Sequence, residues 1–331
     1  MYHDLKVAVI IPAFCETARI TDTVTSLPDW VDHIVVVDDA SSDATFDAVQ
    51  KITDPRLVLV RFSENQGVGA ATLAGFERAI GLQADVLVKM DGDGQMDPSR
   101  LPALLEPIRR GAADYVKGNR FFHTRELVQM PMLRRLGNIG LSFMTKLASG
   151  YWAIFDPTNG YIAIDASVAV ALQKERIHKR FFFEGSLLLE LGLHRAVVRD
   201  VYFPARYGDK VSSLSERHAF FQFPPLLLRG FLRRLVIQYF VRDFSAVSLF
   251  LIFGLCATAF GLLWGGYHWT LSAAHGVPAS TGTVMIAVLP LILGAQLLLQ
   301  ALVMDVQNVP RHPLRLQNLA PDSAPNPSTK R

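Results

Sequence analysis

Apolar and polar positions along the chain follow two regimes. From Lys6 to Lys117, short runs rich in β-branched residues are interleaved with stretches whose apolar positions recur at helical spacing. The runs predict strands at Lys6–Ile11, His33–Val37, Leu57–Arg61, Val86–Met90 and Tyr115–Lys117. The stretches between them predict helices near Ala18–Leu27, Ala44–Lys51, Val68–Ile80 and Ser99–Arg110. Such alternation builds a mostly parallel sheet covered by helices, an α/β domain. Beyond residue 243 the pattern changes. Phe244–Trp269 and Gly282–Met304 carry no Asp, Glu, Lys or Arg, and each exceeds the roughly 20 residues that cross a bilayer.

The location of charge sharpens this picture. A net charge of +3 over 331 residues is too small to imply a nucleic-acid partner. Arg217, Arg229, Arg233, Arg234 and Arg242 precede the first apolar stretch, and Arg311, Arg315, Lys330 and Arg331 follow the second. The connecting Tyr267–Ser280 has neither Lys nor Arg, so positive-inside counting puts both termini and the sheet domain in the cytoplasm. Leu228, Leu232, Leu235 and Tyr239 recur at helical spacing beside the arginines, which suits a helix lying in the headgroup plane among membrane lipids.

The expected organisation is therefore a catalytic domain at 1–215, amphipathic juxtamembrane helices at 216–243, a two-helix transmembrane hairpin at 244–304 and a disordered cytoplasmic tail at 305–331. Cys15 and Cys256 lie in different segments and make no disulfide framework, which fits a reducing compartment. The run Val7–Ile11 is too short for a signal peptide and is closed by Pro12.

Parallel sheets bind ligands beyond the carboxyl ends of their strands. Here the first strand runs into Pro12-Ala-Phe-Cys-Glu16, the second into Asp38-Asp39-Ala-Ser41-Ser-Asp43, and the fourth into Asp91-Gly-Asp93-Gly-Gln95-Met-Asp97. If strand geometry persists into this last turn, Asp91 and Asp93 point to one side. Two converging carboxylates repel each other, and hard Mg2+ or Mn2+ removes that repulsion while leaving positions for phosphate oxygens. A calcium loop does not fit, because Met96 stands where its sharp-turn glycine belongs and Pro102 where its bidentate glutamate belongs.

An acid after the second strand suits ribose hydroxyls or a base edge, and Asp43 suits a helix cap equally well. Asn65-Gln-Gly67-Val-Gly69-Ala-Ala is no dinucleotide fingerprint. It follows the third strand, and Thr72 replaces the third glycine. Its glycines are expected to allow close backbone approach at a helix start.

Taken in order, Ile-Pro-Ala-Phe-Cys-Glu, Val-Val-Asp-Asp-Ala-Ser-Ser-Asp, Asn-Gln-Gly-Val-Gly-Ala-Ala and Asp-Gly-Asp-Gly-Gln resemble family 2 glycosyltransferases of the GT-A fold. Within these, the chain is most similar to the dolichol-phosphate mannose synthase and polyprenyl-phosphate glycosyltransferase group, over roughly residues 5–215. Cys15 departs from that group, which usually has Asn there. The resemblance implies that Pro12, Glu16 and Asp39 hold the nucleoside end of the donor, together with Asp91 and Lys210. It assigns Asp91, Asp93 and Gln95 to the metal, and Arg120, Arg134 and Asn138 to the acceptor phosphate.

Arginine forks suit phosphate oxygens, and an anionic acceptor must approach an anionic donor. The run Pro204–Ser213 resembles a mobile basic loop in which Arg206 neutralises the leaving group. Asp156 is expected to fix the donor sugar or its loop rather than act as a base, and Glu184 is either a further site carboxylate or a helix-start acid. Asp93, Arg206 and Asp156 are thus the candidate catalytic residues.

The resulting expectation is an inverting, metal-dependent enzyme moving sugar from a GDP- or UDP-linked donor to a polyprenyl phosphate at the cytoplasmic membrane face. Inversion is implied by the resemblance alone. A homo-oligomer is compatible with the sequence. A processive polysaccharide synthase shares the fold, but the chain has no Gln-x-x-Arg-Trp motif and only two spans. A non-catalytic nucleotide-binding membrane scaffold is opposed by the intact Asp91, Asp93, Gln95 and Arg206. A sugar nucleotidyltransferase is disfavoured because no glycine-rich basic loop follows the first strand.

Overall fold

The computed structural model describes residues 1–120, 132–203 and 216–315. They divide into two compact units, one formed by Met1–Phe231 with the segment from Pro310, the other by Leu232–Val309. The first contains a seven-stranded sheet in the order β3-β2-β1-β4-β6-β5-β7. Its strands are β1 (Val7–Ala13), β2 (His33–Asp38), β3 (Leu57–Arg61), β4 (Val86–Lys89), β5 (Tyr115–Asn119), β6 (Ile162–Asp165) and β7 (Val198–Tyr202). All neighbouring pairs are parallel except those of β6, which runs against β4 and β5.

The five strands expected from sequence are present, and β6 and β7 are additional. β6 is only four residues long, too short for periodicity to register.

The central strands are apolar because both of their faces are covered. All seven residues of β1 are buried. On one face Val7, Val9 and Ile11 join Ile34, Val36, Val86 and Val88, packed under Ile20, Val24, Leu104, Leu105 and Ile108 from the covering helices. On the other, the helix Val68–Gly81 comes so close that a Cβ on Gly75 would lie 2.3 Å from Ile10 Cγ2.

This topology collects the chemistry at one edge. β1, β2, β4 and β5 are mutually aligned, so their carboxyl ends lie together. β6 is antiparallel, so the turn that enters it, residues 155–161, arrives at the same edge. Register then sets two lysines on either side of it, because Lys89 of β4 and Lys117 of β5 both pair with Ile162.

The second unit is a helical hairpin, Ala246–His275 and Thr281–Gln307. Both helices are long and apolar enough to cross a membrane, with mean hydropathy 2.3 and 2.2. Only 22% and 11% of their most apolar windows are buried, which is unlike the core helices of a soluble domain. They cross at glycines: a Cβ on Gly294 would lie 2.8 Å from Gly254 O.

Two expectations change here. Arg234 does not face headgroups; it is buried in a bidentate pair with Asp305, at 2.7 and 2.9 Å, and Tyr239 also donates to Asp305. A carboxylate this deeply buried needs such a cation. Nor does disorder begin at residue 305. The second helix runs to Gln307, and the Leu314 and Arg315 N–H groups donate to Asp114. Residues 316–331 lie outside the described residues.

Candidate active site

β4 ends at Lys89, two residues before Asp91, so the strand pleat does not extend through the acidic turn. The turn is held from several sides instead. Thr23 Oγ1 donates to Gly92 O at 3.3 Å, Arg19 Nη1 to Asp93 O at 3.1 Å, and Gln95 N to Asp93 Oδ1 at 3.0 Å. Gly94 has φ +71°, a conformation glycine adopts without strain. Asp97 caps the next short helix through Ser99 N. Asp91 pairs with the buried Lys89 ammonium.

Lys89 Nζ lies 2.6 Å from Asp91 Oδ1 and 3.2 Å from Glu184 Oε1, and it donates to Gly160 O at 3.4 Å. Burial works against this ammonium, but Asp91 and Glu184 outweigh it and hold the Lys89 pKa above the ordinary lysine value. Glu184 comes from the first turn of the helix Phe183–His194, so it is both a helix-start acid and a member of this cluster. Burial raises its pKa, and Lys89 opposes the rise. Gly160 is required at this spot: a Cβ there would lie 2.5 Å from Lys89 Nζ, 3.1 Å from Asp91 Oδ2 and 3.3 Å from Glu184 Oε1.

On the β1–β2 side, Pro12 is buried and pairs with Val37. Cys15 is left-handed, with φ +56°, and its N–H donates to Ser41 Oγ at 3.0 Å. The Glu16 N–H donates to Thr45 Oγ1 at 2.8 Å. Asp43 accepts from the N–H groups of Thr45 and Thr17 and from Thr45 Oγ1, so it serves the start of the following helix. Partial burial would raise its pKa, but these hydrogen bonds bring it down to about 2.

Asp39 is buried, and its two oxygens accept from the N–H groups of Gln66 and Gly67 at 2.7 and 2.8 Å. It thereby fixes the Asn65–Gly69 turn. The glycines there do allow close approach, by this chain's own backbone: Cβ atoms on Gly67 and Gly69 would lie 2.6 Å from Lys179 O and 2.4 Å from His178 O.

On the β5–β6 side, Arg120 forks onto Asp156, with Nε to Oδ2 at 2.8 Å and Nη2 to Oδ1 at 2.9 Å. Asp156 has φ +52° and is also bonded by Asn159 Nδ2. Burial would raise its pKa, yet Arg120 and Lys117 hold it below the usual carboxylate value. Lys117 fastens this turn from beneath. Its Nζ donates to the carbonyls of Phe155 and Asp156 and lies 3.1 Å from Asp200 Oδ1. Burial pushes the Lys117 pKa down, with Asp200 and Asp156 only partly offsetting it.

The structure thus joins Asp91 to Glu184 through Lys89, and Arg120 to Asp156. Arg134 and Asn138 lie four apart on the helix Met132–Ser149, hence on one face of it. Their side chains, and all of Arg206 and Lys210, lie outside the described residues. Sequence reasoning missed Lys89, Lys117 and Asp200. The signal was available: a lysine within an otherwise buried apolar strand, as in Val-Leu-Val-Lys and Tyr-Val-Lys, needs buried acids as partners.

The family model for glycosyl transferase family 2 matches residues 8–172. The UDP-N-acetylglucosamine–dolichyl-phosphate N-acetylglucosaminyltransferase of Methanococcus voltae is 31% identical over 193 residues, covering 54% of this chain and 76% of that protein. The undecaprenyl-phosphate mannosyltransferase of Micrococcus luteus is 33% identical over 180 residues, 53% of this chain and 73% of that protein. The dolichol-phosphate mannosyltransferase of Pyrococcus furiosus is 29% identical over 186 residues, with 54% and 52% covered.

Among solved structures, glucosyl-3-phosphoglycerate synthase from Mycobacterium tuberculosis, in complex with Mn2+, uridine diphosphate and glucosyl-3-phosphoglycerate, shares the fold. It aligns with a TM-score of 0.51 at 19% identity, over 70% of this chain and 80% of that one. The strand order, the acidic turn at the carboxyl edge and these relatives agree: the chain belongs to the family 2 glycosyltransferases and has the GT-A fold.

Proposed function

We propose that the protein transfers a sugar, with inversion, from a GDP- or UDP-linked donor to a polyprenyl phosphate at the cytoplasmic face of a membrane. The observation that carries the reading is one sheet edge. There the acidic turn Asp91–Gln95 meets the turn 155–160, which holds Asp156 and its partner Arg120, in a chain that also has two helices able to span a bilayer. Relatives named for transfer to dolichyl or undecaprenyl phosphate support the acceptor class.

Asp91, Asp93 and Gln95 would hold a divalent ion. The donor set fits, since all three offer hard oxygens within one turn. Among the described residues no three His, Cys, Asp or Glu side chains converge to cage a metal. Mg2+ and Mn2+ suit hard oxygen donors and keep positions for water and diphosphate oxygens. When bound, the ion would neutralise charge on the departing diphosphate.

The remaining work falls to the chain. Pro12, Glu16 and Asp39 line the nucleoside end, with Asp39 acting through the turn it fixes. A phosphate monoester has a second pKa of about 6, so the acceptor is already mostly ionised at neutral pH and needs placement more than a base. Arg120, Arg134 and Asn138 supply that placement, while Arg206 and Lys210 would offset leaving-group charge. Asp156 orients Arg120 and takes no proton. The hairpin would hold the chain at the membrane that carries the acceptor.

The test is a panel of GDP- and UDP-sugars offered to purified protein with a short polyprenyl phosphate, the product read by mass. One donor should give glycosylated lipid, and Asp93→Asn should abolish its formation while leaving the circular dichroism unchanged. Full activity of that variant at low Mn2+ would remove the metal assignment.

A further inference from the structure

Lys89 is the feature that the reaction as described leaves unused. It closes β4, is 1% exposed, and points its ammonium into the space shared by Asp91, Glu184 and Gly160. The 2.6 Å contact sets the Lys89 ammonium directly against Asp91 Oδ1, so a positive charge stands beside any cation that Asp91 holds.

We infer that Lys89 is a positioning residue that holds the Asp91 carboxylate in place and, through its positive charge, keeps divalent-metal affinity low until the donor diphosphate arrives. Glu184 acts through Lys89, drawing the ammonium back from Asp91 and sharing its charge. The consequence is coupled occupancy. Like-charge repulsion from Lys89 opposes a lone divalent cation, and the negative charge of a nucleoside diphosphate offsets that repulsion. Metal and donor then enter together. This inference rests on the assignment of Asp91 to the metal under the proposed function.

The experiment titrates full-length protein in detergent with Mn2+, following free Mn2+ by electron paramagnetic resonance, with and without UDP or GDP. Wild type should bind Mn2+ weakly alone and more tightly with one of the two nucleotides. Lys89→Met should bind Mn2+ alone at least roughly tenfold more tightly, because a nearby positive charge is gone, and should show a smaller gain from the nucleotide. Glu184→Gln should shift the other way, weakening Mn2+ alone, because Lys89 is then less neutralised.

A folded Lys89→Met protein that binds Mn2+ no better than wild type overturns the inference, as does tighter binding by Glu184→Gln. Should Lys89→Met fail to fold, Lys89→Gln replaces it and is read in the same way, and an unchanged or tighter affinity in Glu184→Gln overturns the inference. Absence of Mn2+ binding by wild type with either nucleotide removes the metal assignment itself, and the inference with it. That result is distinct from a wild type that binds Mn2+ and variants that match it.

Discussion

Arg120 and Asp156 lie 36 residues apart, yet they meet in a two-pronged ion pair that closes the β5–β6 side of the site. Asp156 is almost wholly buried while the Arg120 side chain remains 43% exposed, so the pair presents a guanidinium to solvent with its geometry set from below. Lys117 sets it, by holding the Asp156 carbonyl at 2.9 Å.

A pH dependence follows from this pair. The folded Asp156 pKa is depressed, so its contribution is present above the unfolded value of about 3.9. That contribution is lost as pH falls through the lower folded value. Asp156→Asn should lower stability near neutral pH by roughly 1–3 kcal/mol, discounted for the exposed arginine. It should also flatten the acid side of the stability curve. Urea unfolding between pH 3 and pH 7 checks this; an unchanged acid slope would mean that the pair contributes nothing to the fold.

Cys15 predicts an easy gain. Its left-handed backbone, φ +56°, disfavours most side chains, and Asn tolerates it better. Cys15→Asn should raise stability by roughly 0.5–1 kcal/mol, measured as an increase in Tm. A decrease would show that the thiol contact with Ser42 Oγ, at 3.6 Å, outweighs the backbone term.

Gly160→Ala tests the crowded floor of the site. The new methyl would meet Lys89 Nζ and two carboxylate oxygens, so one charged group must move. A loss of about 1–3 kcal/mol in stability is expected from such overpacking. Sugar transfer should fall in parallel, because Asp91 is one of the groups displaced. An active and fully stable variant would refute the close packing.

The legibility of this molecule from sequence followed the length and charge of its segments. Strands such as Val7–Ala13 and His33–Asp38 are long, apolar and punctuated by turn residues, so they were readable. The two apolar helices were readable from length alone, although their ends extend to His275 and Gln307. Ile162–Asp165 was not, because four residues carry no period and its direction depends on neighbours distant in sequence. Asp91, Arg120 and Asp156 were legible as chemistry, but not which partner each one takes. Lys89 joins Asp91 to Glu184 across 93 residues by β4–β6 register and a helix start, and no local pattern encodes that.

The two basic groups should separate kinetically. Arg134→Ala is expected to raise the KM for lipid phosphate far more than for nucleotide sugar, if Arg134 holds the acceptor phosphate as proposed. Arg206→Ala should chiefly lower kcat, because a charge on the leaving diphosphate matters most in the transition state. Initial rates with each substrate varied in turn distinguish the two. Identical signatures would contradict the division of labour.

The central claim, single-sugar transfer to a membrane-held phosphate, is tested most directly by the product made in vesicles. Full-length protein is reconstituted with long-chain polyprenyl phosphate and the productive nucleotide sugar, and the lipid is extracted for mass and anomeric analysis. The account predicts one sugar per lipid phosphate, with anomeric configuration opposite to that of the donor. A ladder of added sugars, retention of configuration, or no lipid product with any GDP- or UDP-sugar would contradict it.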